Sequence, residues 1–192
     1  MLPLLKTEIE TESSFLNIYS FENNEELLNN CIDDIKDKLC KSGYRKVGFF
    51  SNKFHGNYLY GKLHIVKSQP LSQSLSILLD MINEIFETDY NGILINEYEN
   101  GNHFISRHRD SQNHTENGVL IISYGATRTF RIYDNNFTQI KEIPLIHGQV
   151  LHMSEHFQQE FEHDLKKEPE IKERRYSLNF HKYMNLGLTS PI

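Results

Sequence analysis

The sequence predicts an α+β fold in which two helices lead into an antiparallel sandwich or jelly roll. Two observations predict it. Apolar residues at helical spacing are confined to the first half of the chain, and from Gly92 onward short β-rich runs alternate with turn-forming residues. The first helix is predicted over 24–40, where Leu27, Leu28, Cys31, Ile32, Ile35 and Leu39 recur on one face. Asn23 or Asn24 can cap it and Gly43 can stop it. The second is predicted over about 70–87, with Ser68 as cap, Pro70 in the first turn and a stripe of Leu71, Leu75, Leu78, Leu79, Ile82 and Phe86. Strands are predicted at 93–98, 118–124, 127–133, 149–153 and 174–183, separated by Asn100-Gly101, Asn135-Asn136 and His147-Gly148.

With 192 residues, one ordinary domain is expected, without repeats or a low-complexity tract. No apolar run is long enough to span a membrane, and the N-terminus lacks the basic start and apolar stretch of a signal peptide. Cys31 and Cys40 both fall in the predicted first helix, at a spacing that keeps them apart. Two unpaired cysteines point to a reducing compartment, cytosol or nucleus. The net charge of −6 argues against a globally basic nucleic-acid coat, while a local basic face stays open. Ten histidines with no tryptophan invite a search for metal ligands.

His108-Arg109-Asp110 is a His-x-Asp step. On an extended segment these two side chains face the same way, with Cα atoms roughly 7 Å apart. Imidazole plus carboxylate suits a borderline divalent metal, and two histidines with one carboxylate leave coordination positions open, the arrangement of non-haem iron(II) oxygenases. Alone, the step occurs by chance about 0.4 times in a chain of this composition. Its surroundings give it weight: Asn96-Glu97-Tyr98-Glu99-Asn100-Gly101 before it, Phe161-Glu162-His163 after it, then Arg175-Tyr176-Ser177-Leu178-Asn179-Phe180. An arginine can grip the far carboxylate of a dicarboxylic co-substrate with two parallel hydrogen bonds.

Together these motifs resemble the AlkB family of nucleic-acid dealkylating dioxygenases. Asn96, Tyr98, Gly101, His108 and Asp110 match its first block. Ile122-Ser-Tyr-Gly-Ala-Thr-Arg-Thr-Phe130 resembles its central strand pair, 158–163 the approach to its distal histidine, and Arg175-x-Ser-Leu-x-Phe180 its last strand. Asn57-Tyr58-Leu59-Tyr60 resembles its nucleotide-recognition lid. The resemblance spans about residues 44–183. It implies a double-stranded β-helix with N-terminal supporting helices and a lid: a helical extension over 1–43, lid and supporting helix over 44–91, and jelly-roll core over 92–183.

The resemblance also implies roles. His108, Asp110 and His163 are expected to ligate iron(II). His163 is preferred over His152 and His156 for its flanking sequence, and His103 and His114 flank the first motif as further decoys. Asn96, Tyr98, Arg175, Ser177 and His181 are expected at the 2-oxoglutarate site, and Tyr58, Tyr60 and Gln112 at the substrate. Phe49, Phe50 or Phe54 are candidates to stack on a flipped base. Two positions depart from the family pattern: His181 stands where a second arginine is usual, and Gln112 where an acid often meets the base. The expected reaction is oxidative demethylation of N-alkylated bases in single- or double-stranded DNA or RNA, using Fe(II), 2-oxoglutarate and O2, releasing formaldehyde, succinate and CO2, by a monomer. Two rivals share the motifs: a dioxygenase acting on protein or a small molecule, and a catalytically silent nucleic-acid-binding module.

Overall fold

The computed structural model describes residues 2–53, 57–60, 64–110 and 116–183, with the backbone alone at 57–60, 64 and 65. Two strands, β1 (Leu4–Glu10) and β2 (Phe15–Ser20), open the chain as a hairpin. Helix α1 (Glu25–Ile35) follows, then β3 (Cys40–Ser42), β4 (Arg45–Phe50), β5 (Asn57–Tyr60), β6 (His64–Gln69) and α2 (Gln73–Phe86). The second half is β7 (Gly92–Tyr98), β8 (Ile105–His108), β9 (Val119–Gly125), β10 (Arg128–Tyr133), β11 (Gln139–Leu145) and β12 (Gln149–Met153). A single turn of helix, α3 (Phe157–Glu160), precedes β13 (Glu162–Leu165) and β14 (Arg175–His181).

The strands form two sheets. The major one runs β1-β2-β12-β9-β14-β7-β4-β6-β5, with β3 on β4; the minor one runs β11-β10-β13-β8. Between them lies a core that includes Leu16, Ile18, Ile121, Phe130, Ile132, Leu151 and Phe157. Both helices lie on the outer face of the major sheet. Leu28, Cys31, Ile32 and Ile35 of α1 and Leu75, Leu78, Leu79 and Ile82 of α2 share one core with Ile93, Ile95, Ile122 and Leu178. This is the jelly roll with supporting helices that the sequence predicts.

Three expectations need correction. The stretch 1–43 is not a helical extension: β1 and β2 precede α1, and β2 joins the major sheet beside β12. Phe15–Ser20 alternates half-buried and buried positions, with Leu16 and Ile18 facing the core, a period of two rather than 3.6. The first helix ends at Ile35, and Cys40 lies exposed in β3; Gly43, at φ +60, turns β3 into β4 instead of capping a helix. The second helix is capped by Ser72, whose hydroxyl accepts from the Leu75 amide at 3.2 Å, and not by Ser68. Both cysteines are free thiols. No helix among the described residues is long and apolar enough to cross a membrane.

Candidate metal and co-substrate site

The minor sheet supplies the metal-ligating candidates. Register places His163 of β13 directly opposite His108 of β8, so both imidazoles stand on one face with ring centroids 4.4 Å apart. Asp110, two positions beyond His108, reaches both: its carboxylate oxygens lie 3.7 Å from His108 Nε2 and 3.8 Å from His163 Nε2. The ligand atoms of all three residues lie within 4.8 Å of one another. His108 Nδ1 sits 2.8 Å from the Ser106 carbonyl, which takes its N–H and leaves the Nε2 lone pair toward Asp110. His163 is 3% exposed, and burial, helped by the neighbouring His108, lowers its pKa to about 3. It is therefore neutral, as a ligating histidine must be.

Gln158, on the single turn α3, is fully enclosed beside Phe157 and clamps Asp110 from both sides. Its Oε1 accepts from the Asp110 amide at 3.0 Å, and its Nε2 donates to Asp110 Oδ2 at 3.3 Å. The sequence pattern did not give this residue a role. The decoy histidines lie elsewhere. His152 faces outward between Phe15 and Phe86, and burial lowers its pKa to about 4. His156 contacts Gln159 beside α3, and the His103 ring accepts from the Glu99 amide.

The opposite wall is the inner face of the major sheet. Strand alternation puts Arg175, Ser177, Asn179 and His181 of β14 on one side, in register with Tyr98, Asn96 and Leu94 of β7. These residues and the metal triad line one cavity. Asn96 donates to Ser177 Oγ at 3.3 Å. Arg175 is 2% exposed; its Nη2 donates to Ser123 Oγ at 2.9 Å, and its guanidinium carbon lies 5.5 Å from the Tyr98 ring centroid. Its Nε has no hydrogen-bond partner among the described residues, and burial lowers its pKa to about 10. His181 is buried farther along β14 and lines the same cavity.

The glycine of the first motif has a backbone reason. A Cβ at Gly101 would lie 1.6 Å from the Glu168 carbonyl oxygen, to whose residue and Ile171 Gly101 is hydrogen-bonded. Phe49 and Phe50, offered by the sequence as base stackers, are instead buried in two apolar clusters. Phe54, Gln112 and His114 lie outside the described residues, and Tyr58 and Tyr60 lie on β5, where only the backbone is described.

A family model, the 2OG-Fe(II) oxygenase superfamily, matches residues 37–181. The chain belongs to that superfamily. Its cofactors are Fe(II), 2-oxoglutarate and O2. Among curated relatives, the human alpha-ketoglutarate-dependent dioxygenase alkB homolog 3 is 28% identical over 134 residues, covering 64% of this chain and 47% of that protein. The rat protein of the same name is 28% identical over 137 residues, covering 64% of this chain and 45% of its own length. The chain thus spans about half the length of the curated relatives it matches. A solved structure titled "The structure of OsALKBH1" matches with a TM-score of 0.61 at 14% identity, covering 93% of this chain and all of that one. A Pseudomonas putida prolyl-4-hydroxylase matches with a TM-score of 0.56 at 11% identity, covering 88% of this chain and 92% of that one. Both share the fold of this 2OG-Fe(II) oxygenase. Its residues fit the cofactors: two imidazoles and a carboxylate for iron, and a buried guanidinium with an unpartnered Nε for an anion.

Proposed function

We propose that this 2OG-Fe(II) oxygenase demethylates N-alkylated bases in DNA or RNA, releasing formaldehyde, succinate and CO2. The observation that carries the oxygenase chemistry of this reading is the His108–Asp110–His163 cluster facing a buried, under-partnered Arg175 across one cavity. The motif resemblance to the AlkB family, and relatives bearing that name, support a nucleic-acid substrate.

In this reading His108, Asp110 and His163 hold the iron, and Arg175 takes the far carboxylate of 2-oxoglutarate. The bound iron and 2-oxoglutarate supply the oxidation of an N-methyl C–H bond by O2. The chain's own residues orient and protect. The Ser106 carbonyl fixes the His108 tautomer, burial keeps His163 neutral, and Gln158 holds Asp110 by amide and carboxylate together. Ser123 fixes the Arg175 fork, and Asn96, Tyr98 and Ser177 line the space between. Tyr58 and Tyr60 would grip the flipped nucleotide, and Gln112 would meet the edge of its base, with its amide able to donate or accept.

The test is a panel of methylated single- and double-stranded oligonucleotides incubated with iron-loaded protein, 2-oxoglutarate and O2, with products read by mass. Loss of 14 Da per modified base, about one methylene, with matching formaldehyde is the expected result. Succinate formation with every oligonucleotide unchanged would reject the nucleic-acid substrate while sparing the dioxygenase assignment.

A further inference from the structure

Arg109 fills the open position of the His-x-Asp step. His108 and Asp110 line the cavity and Arg109 does not, as alternation on an extended step requires. Its guanidinium crosses instead to α3. Nη1 donates to the main-chain carbonyls of Gln158 and Gln159, both at 2.9 Å, and Nη2 donates to Asn135 Oδ1 at 2.6 Å. Asn135 closes the ring, with its Nδ2 3.5 Å from the Gln159 carbonyl. The last carbonyls of any helix have no amide partner within it. In α3 the Phe161 amide takes the Phe157 carbonyl and the chain then leaves as β13, so the next two carbonyls are the ones that Arg109 takes. Gln158 is also the residue whose side chain clamps Asp110. Arg109 thus ties the backbone of the clamp to the step that carries the clamped carboxylate. The other tie of α3, from Ser14 to Glu160 at 2.6 Å, runs to the opening hairpin.

We propose that Arg109 is a positioning residue for the metal centre. By holding the Gln158 and Gln159 carbonyls it fixes α3 against the His108–Asp110 step, and Gln158 then keeps the Asp110 carboxylate turned toward both imidazoles. The proposal rests on the reading of His108, Asp110 and His163 as metal ligands. Hydrogen bonds weaken steeply with distance and angle, so a small shift of α3 loosens the grip of Gln158 on Asp110. An arginine suits the task because its rigid fork serves several acceptors at once. The sign of the effect separates positioning from charge. Arg109 is a cation close to a cation site, so removing it tightens metal binding on Coulomb grounds alone. Positioning requires the reverse.

The experiment is titration of Mn(II), standing in for Fe(II), into metal-free protein, with the free ion read by electron paramagnetic resonance. Wild type, R109Q, R109K, Q158A, R109Q/Q158A, R109K/Q158A and H163A are compared, and urea unfolding confirms that each is folded. The Arg109 side chain is 33% exposed, so its replacement opens no core cavity. R109Q should raise the Mn(II) Kd about tenfold, the scale of a lost orienting partner. R109K, which keeps the charge but not the fork, should raise it about threefold. In the Q158A background the same R109Q change should add less than about twofold, because the residue through which Arg109 acts is gone. If R109Q does not fold, R109K and R109K/Q158A decide in the same way. An unchanged or lowered Kd in R109Q, or an equal factor in both backgrounds, would overturn the proposal. H163A separates the two layers: a wild-type Kd there would sink the reading of the three ligands, whereas loss in H163A with none in R109Q would sink Arg109 alone.

Discussion

Arg128 and Arg175 share the Tyr98 ring, their guanidinium carbons 5.9 and 5.5 Å from its centroid, and both are all but inaccessible, at 1% and 2% exposure. Their partners differ. Arg128 pairs with Glu168 at 3.1 Å and donates to the carbonyls of Asn100, His103 and Lys166 at 3.3, 2.9 and 2.6 Å. Glu168 in turn accepts from the amide and hydroxyl of Thr129. Arg175 has the Ser123 hydroxyl and a bare Nε. A buried charge is tolerable when paired and hydrogen-bonded, and otherwise calls for an anion from outside. Arg128 therefore staples the loops around Gly101 and Glu168 together, while Arg175 has fewer partners within the protein, as the proposed role in holding 2-oxoglutarate requires.

The sharpest way to break this contrast is to remove each arginine in turn. Arg128→Met should cost about 3–5 kcal/mol of stability, because Glu168 and a set of carbonyls lose their cation. Arg175→Met should leave the metal-free protein within about 1 kcal/mol of wild type, since it removes an under-partnered charge. Urea unfolding of the two variants tests both. Equal losses would show that Arg175 is structural as well.

The functional half of the contrast has the next largest effect. Arg175→Ala should raise the 2-oxoglutarate requirement on the order of 100-fold, the scale of a lost two-pronged charge-assisted contact. Steady-state succinate formation across a 2-oxoglutarate series measures it, and an unchanged requirement would contradict it. Across the cavity, Gln158→Ala should weaken iron binding about 10–100-fold without removing a ligand, as loss of an orienting partner does. A competition titration with a colorimetric chelator reads the shift.

The smallest effect concerns the buried neutral histidines. His163 and His152 have pKa values lowered to about 3 and about 4, whereas in the unfolded chain histidine titrates near 6.5. Below about pH 6.5 the unfolded state takes up protons that the folded state refuses. Stability of the metal-free protein is therefore full above that pH and falls as pH drops toward 3. His163→Gln should flatten this fall; a slope identical to wild type, followed by unfolding at stepped pH, would contradict a neutral His163.

The metal wall was more legible than the rest. His108 and Asp110 were readable as an i, i+2 step, and His163, Arg175, Asn96 and Ser177 through the motifs that resemble the AlkB family; the registers that face His163 to His108 and Arg175 to Tyr98 appear only in the fold. Arg45 lines the same cavity from β4 and belongs to no motif, so the sequence left it unmarked. Gln158 stands in the sequence only as a residue flanking His163; its two hydrogen bonds to Asp110 depend on a single turn of helix too short for periodicity to show. The opening hairpin was missed because β1 is mostly exposed and carries weak alternation, and helical spacing just beyond it drew the reading. Phe49 and Phe50 were misread because an aromatic that fills a core and one that stacks on a base are the same residue in a sequence.

The most direct test of the metal centre is iron content after anaerobic reconstitution of single variants. One iron per chain is expected in the wild type, His152→Ala and His156→Ala, with iron lost from His108→Ala, Asp110→Ala and His163→Ala. Iron retained by His163→Ala, or lost from His156→Ala, would contradict the account.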